Sequence, residues 1–180
     1  MYLDSTIIIP QHISRHAFIS AQFILFDSLF AFSLEYHILG CILFSLYFST
    51  ILHWNCVRKM SIVKMVDIVL AISAMSRVTF VDVYRFTPYY QTVWNVSTIS
   101  SLVMFIVNDI LFYYQVSNTV KICEKNTHFH YFSLEHTKTN SKSREMAYYR
   151  NVYTHMFFLH VLPPCVSVIC ACRSIMINNA

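Results

Sequence analysis

The chain has 180 residues, of which 56% are hydrophobic and only 12% are charged, and its formal net charge is +4. A soluble domain usually carries about 25% charged residues, so this composition excludes an ordinary water-soluble globular protein. It indicates a single integral membrane domain over 1–180, with membrane lipids as the expected partners. The basic residues form no extended positive surface, so nucleic acid is not an expected partner.

Hydropathy predicts the fold. A transmembrane helix needs about 20 consecutive, mainly apolar residues. Segments that meet this condition lie at 17–34, 37–53, 62–81, 93–116 and 149–172. The predicted fold class is therefore all-α, a polytopic transmembrane helix bundle of about five spans, with four and six spans as alternatives.

Three features interrupt the apolar segments. Residues 35–37 (Glu-Tyr-His) break a long apolar stretch and predict a tight turn between the first two spans. Residues 117–147 are polar and predict a cytoplasmic loop. Pro163 and Pro164 lie inside the fifth span, where a proline removes a backbone donor and kinks the helix.

The basic residues predict the orientation, because cytoplasmic loops carry an excess of Lys and Arg. If the N-terminus is cytoplasmic, ten of the thirteen basic residues fall on the cytoplasmic side. They are Arg15, Arg58, Lys59, Lys64, Lys121, Lys125, Lys138, Lys142, Arg144 and Arg150. Arg77, Arg85 and Arg173 fall on the other side. This split favours a cytoplasmic N-terminus, but it does not say which cellular or viral membrane holds the chain.

Five polar side chains are predicted at a similar depth near the cytoplasmic side. Ser49 and His53 are four residues apart and share one face of the second span. Asp67 lies one to two turns into the third span from the same side. His155 and His160 lie in the first turns of the fifth span. An Asp at a helix centre costs about 2.5–3.5 kcal/mol on insertion scales, so these groups need partners.

A zinc ion is one such partner. Zinc binds His nitrogen and Asp oxygen and keeps a position for water in catalytic sites. Such a water becomes a nucleophile near neutral pH, and Ser49 would orient it or bond to a developing oxyanion. His53, Asp67, His155 and His160 are the candidate metal ligands, and Ser49, His53 and Asp67 are the candidate catalytic residues.

Two other interpretations of these residues stay open. They form an interhelical hydrogen-bond cluster without a metal, or they are unconnected residues near helix ends. His155 and His160 are five residues apart, which is about 140° around an ideal helix. They share a face only if the helix is unwound near the two prolines.

The sequence also resembles two known groups of membrane proteins. Ser49 and His53 in one span, Asp67 in the next and a late histidine pair resemble the CREST superfamily of membrane hydrolases, which includes zinc-dependent alkaline ceramidases with seven spans. This resemblance implies a zinc-dependent hydrolase of lipid amides or esters. The stretch HWNCVRKMSIVKMVDIVLA, with Trp54 and Asn55, is similar to small multi-pass membrane proteins of giant DNA viruses. That resemblance implies a viral membrane protein with no assigned activity.

The sequence leaves three functions open. The chain is a zinc-dependent membrane hydrolase, a non-catalytic membrane scaffold, or a small proton or ion transporter that uses Asp27, Asp67 and Asp109. The sequence therefore leaves open whether it is an enzyme. Because five helices provide few walls for a catalytic pocket, a homo-oligomer is an alternative to a monomer.

Overall fold

The computed structural model describes residues 2–7, 11–55, 58–123 and 138–178, and these are almost entirely helical. The helices are α1 (Gln11–Ser33), α2 (His37–Asn55), α3 (Ile62–Phe80), α4 (Pro88–Cys123), α5 (Lys138–His155) and α6 (Leu162–Asn178). A short 3₁₀ turn spans Asp82–Arg85, and a π-helical segment, the π turn, spans Met156–Val161 and joins α5 to α6. The strands β1 (Tyr2–Ile7) and β2 (Arg58–Ser61) pair antiparallel, which the sequence analysis did not predict.

The predicted turn between the first two spans is present. Helix α1 ends at Ser33 and α2 begins at His37. Glu35 has a positive φ of 63°, and the Tyr36 N–H donates to the Ala31 carbonyl at 2.9 Å. This backbone reversal places α1 and α2 antiparallel, with the largest helix–helix contact in the bundle.

Contacts between distant parts of the chain define two ends of the bundle. At one end, the β1–β2 ribbon joins the starts of α1 and α3. Ile13, Trp54 and Tyr148 pack in one cluster there, so α2 ends and α5 runs close to the start of α1. At the other end, the Thr87 N–H donates to the Ser174 hydroxyl at 3.0 Å. The helices therefore alternate in direction through the bundle.

The surface of the bundle is apolar, and its interior holds many polar side chains beside an apolar core. Large apolar side chains such as Ile19, Phe26, Leu52, Ile99 and Phe157 are exposed. The buried polar and charged side chains include Ser20, Asp27, Ser28, Ser49, Thr50, His53, Asp67, Asp82, Ser101, Asn108, His160 and Ser167. Water would reverse this arrangement, whereas a hydrocarbon surrounding favours it.

Four helices in the described part of the chain are long and apolar enough to cross a membrane. They are His12–Ser33, His37–Asn55, Pro88–Phe112 and Glu145–Ile177. Helix α3 is not among them, because its 19 residues include the charged residues Lys64, Asp67 and Arg77. The predicted third span therefore forms a helix of suitable length, but it carries three charged residues.

The predicted loop is shorter than expected. Helix α4 continues to Cys123 and α5 begins at Lys138, so helical structure covers both ends of the predicted 117–147 loop. The middle of that loop lies outside the described residues.

Pro88 is the first residue of α4. An N–H at this position has no hydrogen-bond partner within the helix, so the missing N–H of proline costs no helical bond.

Candidate functional site

Asp67 joins α2 to α3. Its Oδ1 atom accepts hydrogen bonds from the Ser49 hydroxyl at 2.9 Å and from the Thr50 hydroxyl at 2.7 Å. All three side chains are buried. The structure thus brings together Ser49 and Asp67 as the spacing predicted, and it adds Thr50. The sequence contains no separate signal for Thr50, because a hydroxyl side chain is common in apolar helices.

His53 lies one turn after Ser49 on the buried side of α2. Its ring meets the Trp54 ring edge to face with centroids 5.3 Å apart. The Nδ1 atom of His53 and the Nε1 atom of Trp54 are buried and have no hydrogen-bond partner in the described part of the chain. Two buried polar atoms are therefore left unsatisfied next to each other.

The π turn brings His155 and His160 together. A π-helical turn bonds residue i to residue i+5, and here the Leu162 N–H donates to the Phe157 carbonyl. Side chains five residues apart then share a face, and the two histidine rings lie with centroids 5.0 Å apart. The turn sits directly before Pro163 and Pro164, whose missing N–H groups prevent a regular helix there.

Trp54 is the centre of a histidine cluster. Its ring centroid lies 4.8 Å from that of His155 and 6.3 Å from that of His160. The Nδ1 atom of His160 lies 2.7 Å from the Ser20 hydroxyl, and that hydroxyl donates to the Ala17 carbonyl at 2.9 Å. The cluster therefore joins α1, α2 and the π turn near the end of the bundle that carries the ribbon.

The predicted metal ligands fall into two groups. Asp67 is in the hydroxyl cluster of α2 and α3, while His53, His155 and His160 surround Trp54. Among the described residues there is no group of three or more His, Cys, Asp or Glu side chains arranged to hold a metal ion. Zinc binding and the catalytic roles of Ser49, His53 and Asp67 stay predictions.

A third polar site surrounds Asp27, six residues before the end of α1. The Asp27 side chain is 6% exposed, and its Oδ1 atom accepts a hydrogen bond from the Ser167 hydroxyl of α6 at 3.3 Å. The sequence analysis named Asp27 but not Ser167. Ser167 comes one turn after the two prolines, and only the packing of α6 on α1 shows that it faces Asp27.

Two cavities meet at Asp27. The larger has a volume of about 50 Å³ and reaches from Asp27 past Leu43 and Trp94 to Pro163. The smaller has a volume of about 10 Å³ and reaches from Asp27 to Asp82 and Phe86 at one end of the bundle. The carboxyl group of Asp27 is thus next to open space on two sides.

The other two buried carboxyl groups in the described part of the chain are better satisfied. Asp67 accepts two hydroxyl bonds, both of 2.9 Å or shorter. Asp82 pairs with both the Nε and a terminal nitrogen of Arg77, at 3.1 and 3.2 Å. Asp27 has one longer bond to a neutral hydroxyl. The side chain of Asp109, the other acid considered for transport, lies outside the described residues.

The four long apolar helices and the exposed apolar surface are consistent with an integral membrane protein. Comparison with protein-family models, with curated proteins and with solved structures returns no match. The resemblances to membrane hydrolases and to viral membrane proteins therefore stay predictions from short motifs.

Proposed function

We propose that the chain crosses the membrane five times with a cytoplasmic N-terminus, and that α3, the third span in chain order, crosses it together with the four long apolar helices. The charged groups of α3 that lie deeper in the bundle, Asp67 and Arg77, are paired with neighbouring side chains. Asp67 is bonded to α2, and Arg77 is paired with Asp82. Pairing lowers the cost of placing charged groups in hydrocarbon. Lys64 lies in the first turn of α3, close enough to the helix end for its amino group to reach the interface.

The proposed function is movement of protons or a small cation through the bundle, with Asp27 as the binding carboxylate. The observation that carries it is the contact of this buried, singly bonded carboxyl group with both cavities. An ionisable residue inside a membrane span is by default a functional-site hypothesis. Asp67 and Asp82 differ from it because each accepts two hydrogen bonds from side chains of the bundle.

A flux measurement tests this proposal. Purified protein is reconstituted in liposomes that contain a pH-sensitive dye, and a potassium diffusion potential drives protons inward. Wild-type protein is expected to raise the proton flux above that of protein-free liposomes. Asp27→Asn is expected to reduce the added flux at least about tenfold, because the new amide cannot be ionised.

Glu35→Gln is the matched control for the flux measurement, since Glu35 is an exposed carboxyl in the α1–α2 turn. It is expected to keep the wild-type flux. The amide of Asp27→Asn can still accept the Ser167 hydroxyl, so the variant is expected to fold. Equal flux from wild type and Asp27→Asn would contradict the proposal.

A zinc-dependent hydrolase is the second candidate, favoured by the Ser49–Asp67 bond and by three histidines within one cluster. It predicts about one equivalent of zinc per chain in detergent-purified protein. His53→Ala and Asp67→Ala would each remove this zinc, whereas His12→Ala, at an exposed position, would retain it. Zinc bound equally by all four proteins would count against the predicted ligands.

A further inference from the structure

Among the described residues, the buried side-chain polar atoms that have no hydrogen-bond partner are gathered on two helices. They are the hydroxyl oxygens of Ser97, Thr98 and Ser101 on α4, and the Nδ1 atom of His53 and the Nε1 atom of Trp54 at the end of α2. A buried polar group without a partner destabilises a fold, and in native structures an ordered water usually bonds to such a group. We therefore expect water inside this part of the bundle.

The hydroxyls of Thr98 and Ser101, here called the hydroxyl pair, lie on the inner face of α4, where the two side chains are 6% and 0% exposed. They follow Trp94 by four and seven residues, and Phe105 follows it by eleven, so all of them share one helix face. Trp94 lines the larger cavity. The Phe105 ring lies with its centroid 5.6 Å from that of His155 in the histidine cluster. The hydroxyl pair is therefore located between the larger cavity and the histidine cluster.

The larger cavity is a narrow space of a size that suits water. Its volume is about 50 Å³. One buried water needs about 10–15 Å³, so there is room for roughly three water molecules. The cavity reaches from Asp27 and Ser167 to Leu159, the residue before His160 of the histidine cluster. A sodium or potassium ion that keeps its hydration shell would not fit in this space.

The two prolines after the π turn leave a water acceptor at the wall of this cavity. In an α-helix the carbonyl of Leu159 accepts from the N–H of residue 163, and in a π-helix it accepts from that of residue 164. Both of these residues are proline, which has no N–H. Neither helical pattern therefore provides a donor for the Leu159 carbonyl, and a water molecule in the adjoining cavity can supply one.

The smaller cavity continues from Asp27 toward the opposite end of the bundle. Its volume of about 10 Å³ leaves room for about one water molecule. It reaches Asp82, which is paired with Arg77. The carboxyl group of Asp27 thus has water-sized space on the side of each bundle end.

We propose that a file of water molecules, held by the hydroxyl pair and the larger cavity, carries protons between Asp27 and the histidine cluster at the ribbon end. At each step one oxygen gains a proton and releases another to its neighbour, so no ion has to pass through the narrow space. This inference rests on the proposed transport function, because it names the cargo and the route for the same carboxylate. It adds that protons, and not sodium or potassium ions, are the cargo.

The first test measures proton flux in the dye-loaded liposomes. Thr98→Val/Ser101→Ala removes both hydroxyls, and it is expected to reduce the Asp27-dependent flux at least about fivefold, since the bound water loses its partners. Thr92→Val/Ser100→Ala is the matched control, because both of these residues are exposed on α4. It is expected to keep the wild-type flux. Uptake of radioactive sodium is expected to be no higher than in protein-free liposomes.

Thermal unfolding in detergent separates a water site from a packing role of the hydroxyl pair. The two hydroxyls have no partner among the described residues. Thr98→Val/Ser101→Ala is therefore expected to leave the unfolding temperature unchanged or slightly higher. A loss of flux together with a clearly lower unfolding temperature would show a packing role and overturn the inference.

The second test detects the water without relying on flux. Brief X-ray irradiation of the full-length protein oxidises aromatic side chains that lie next to bound water, and mass spectrometry locates the oxidised residues. Trp94 is only 2% exposed but lines the larger cavity, so it is expected to be labelled in wild-type protein. The labelling is expected to fall at least about threefold in Thr98→Val/Ser101→Ala, where the water loses its partners. It is expected to stay unchanged in Thr92→Val/Ser100→Ala.

Labelling and flux together separate the route from the proposed transport function. Proton flux that depends on Asp27 but is unchanged in Thr98→Val/Ser101→Ala would overturn the route and leave the transport function standing. Sodium uptake that depends on Asp27 would overturn the proton as cargo. Labelled Trp94 without proton or sodium flux in folded wild-type protein would contradict transport and the route together, and leave only bound water.

Discussion

Asp67 stabilises the contact between α2 and α3 because one carboxyl oxygen accepts two buried hydroxyl bonds. Ser49 also donates to the Leu46 carbonyl of its own helix at 2.9 Å, so its bond to Asp67 is shared. Thr50 is 1% exposed and gives the shorter bond. The Thr50 hydroxyl is therefore expected to contribute more to stability than that of Ser49.

This difference yields a stability prediction. Thr50→Val keeps the volume of the side chain but removes its bond to the carboxyl group, and it is expected to lower the free energy of unfolding by about 1.5–3 kcal/mol. Ser49→Ala is expected to cost less. Thermal unfolding in detergent measures both, with Thr92→Val as the control, since Thr92 is exposed and bonds to its own helix. Equal losses from Thr50→Val and Thr92→Val would show that the Asp67 cluster has no structural role.

At the level of single residues, sequence reasoning found the acids and histidines but missed most of their partners. An acid in an apolar stretch stands out by its charge, as Asp27 and Asp67 do. A Ser or Thr is common in transmembrane helices, so Thr50 and Ser167 gave no separate signal. Only the packing of neighbouring helices shows which hydroxyl meets which carboxyl group.

Helices α1 and α2 approach closely at Gly40, the chain's single glycine. The Ser28 hydroxyl of α1 donates to the Gly40 carbonyl at 3.0 Å. A Cβ atom added at Gly40 would lie only 2.8 Å from the ring of Phe32. A side chain at this position can be accepted only if the Phe32 ring moves.

Gly40→Ala is therefore expected to destabilise the α1–α2 pair by about 1–3 kcal/mol, the usual cost of overpacking. Combining it with Phe32→Leu is expected to recover part of the loss, because the smaller side chain makes room for the new methyl group. Thermal unfolding in detergent measures both. Cys41→Val, which adds bulk at the exposed neighbouring position, is the control. If Gly40→Ala and Cys41→Val have the same effect, the close approach at Gly40 does not contribute to stability.

At the level of elements, hydropathy and turn residues predicted the bounds of a helix or turn well where the segment's own residues determine its structure. The apolar run 37–53 became α2 with nearly the same bounds, and the polar break before it became the turn. The β1–β2 ribbon and the π turn depend on partners elsewhere. Residues 2–7 carry no sign that they pair with 58–61, and the two prolines predicted a kink without its geometry.

The whole molecule has an asymmetric charge distribution between its ends. Toward the end that carries the ribbon lie Arg15, Arg58, Lys59, Lys64 and Arg150, whereas Arg77, Arg85 and Arg173 lie toward the other end. Arg85 also packs over the Tyr36 ring, with 4.6 Å between its guanidinium carbon and the ring centroid. This arrangement supports the proposed orientation, because basic residues concentrate on the cytoplasmic side.

Epitope insertions in the full-length chain test the orientation and the crossing of α3. Antibody is expected to reach epitopes after Tyr36 and Arg85 in intact cells, and epitopes after Asn55 and Cys123 only after permeabilisation. The epitopes after Asn55 and Arg85 lie on either side of α3, so together they show whether α3 crosses the membrane. If both become accessible under the same condition, α3 does not cross the membrane and the count is four spans. A cytosolic marker protein shows that the intact cells are sealed.

The π turn inserts one extra residue between α5 and α6, compared with a regular α-helix. Deleting one residue of Met156–Val161 would restore regular winding and rotate α6 by about 100° relative to α5. The same extra residue brings His155 and His160 onto one face and sets the rotation of α6 that places Ser167 next to Asp27. One deletion in this segment would therefore disturb two polar sites at once, although no residue of either site is changed.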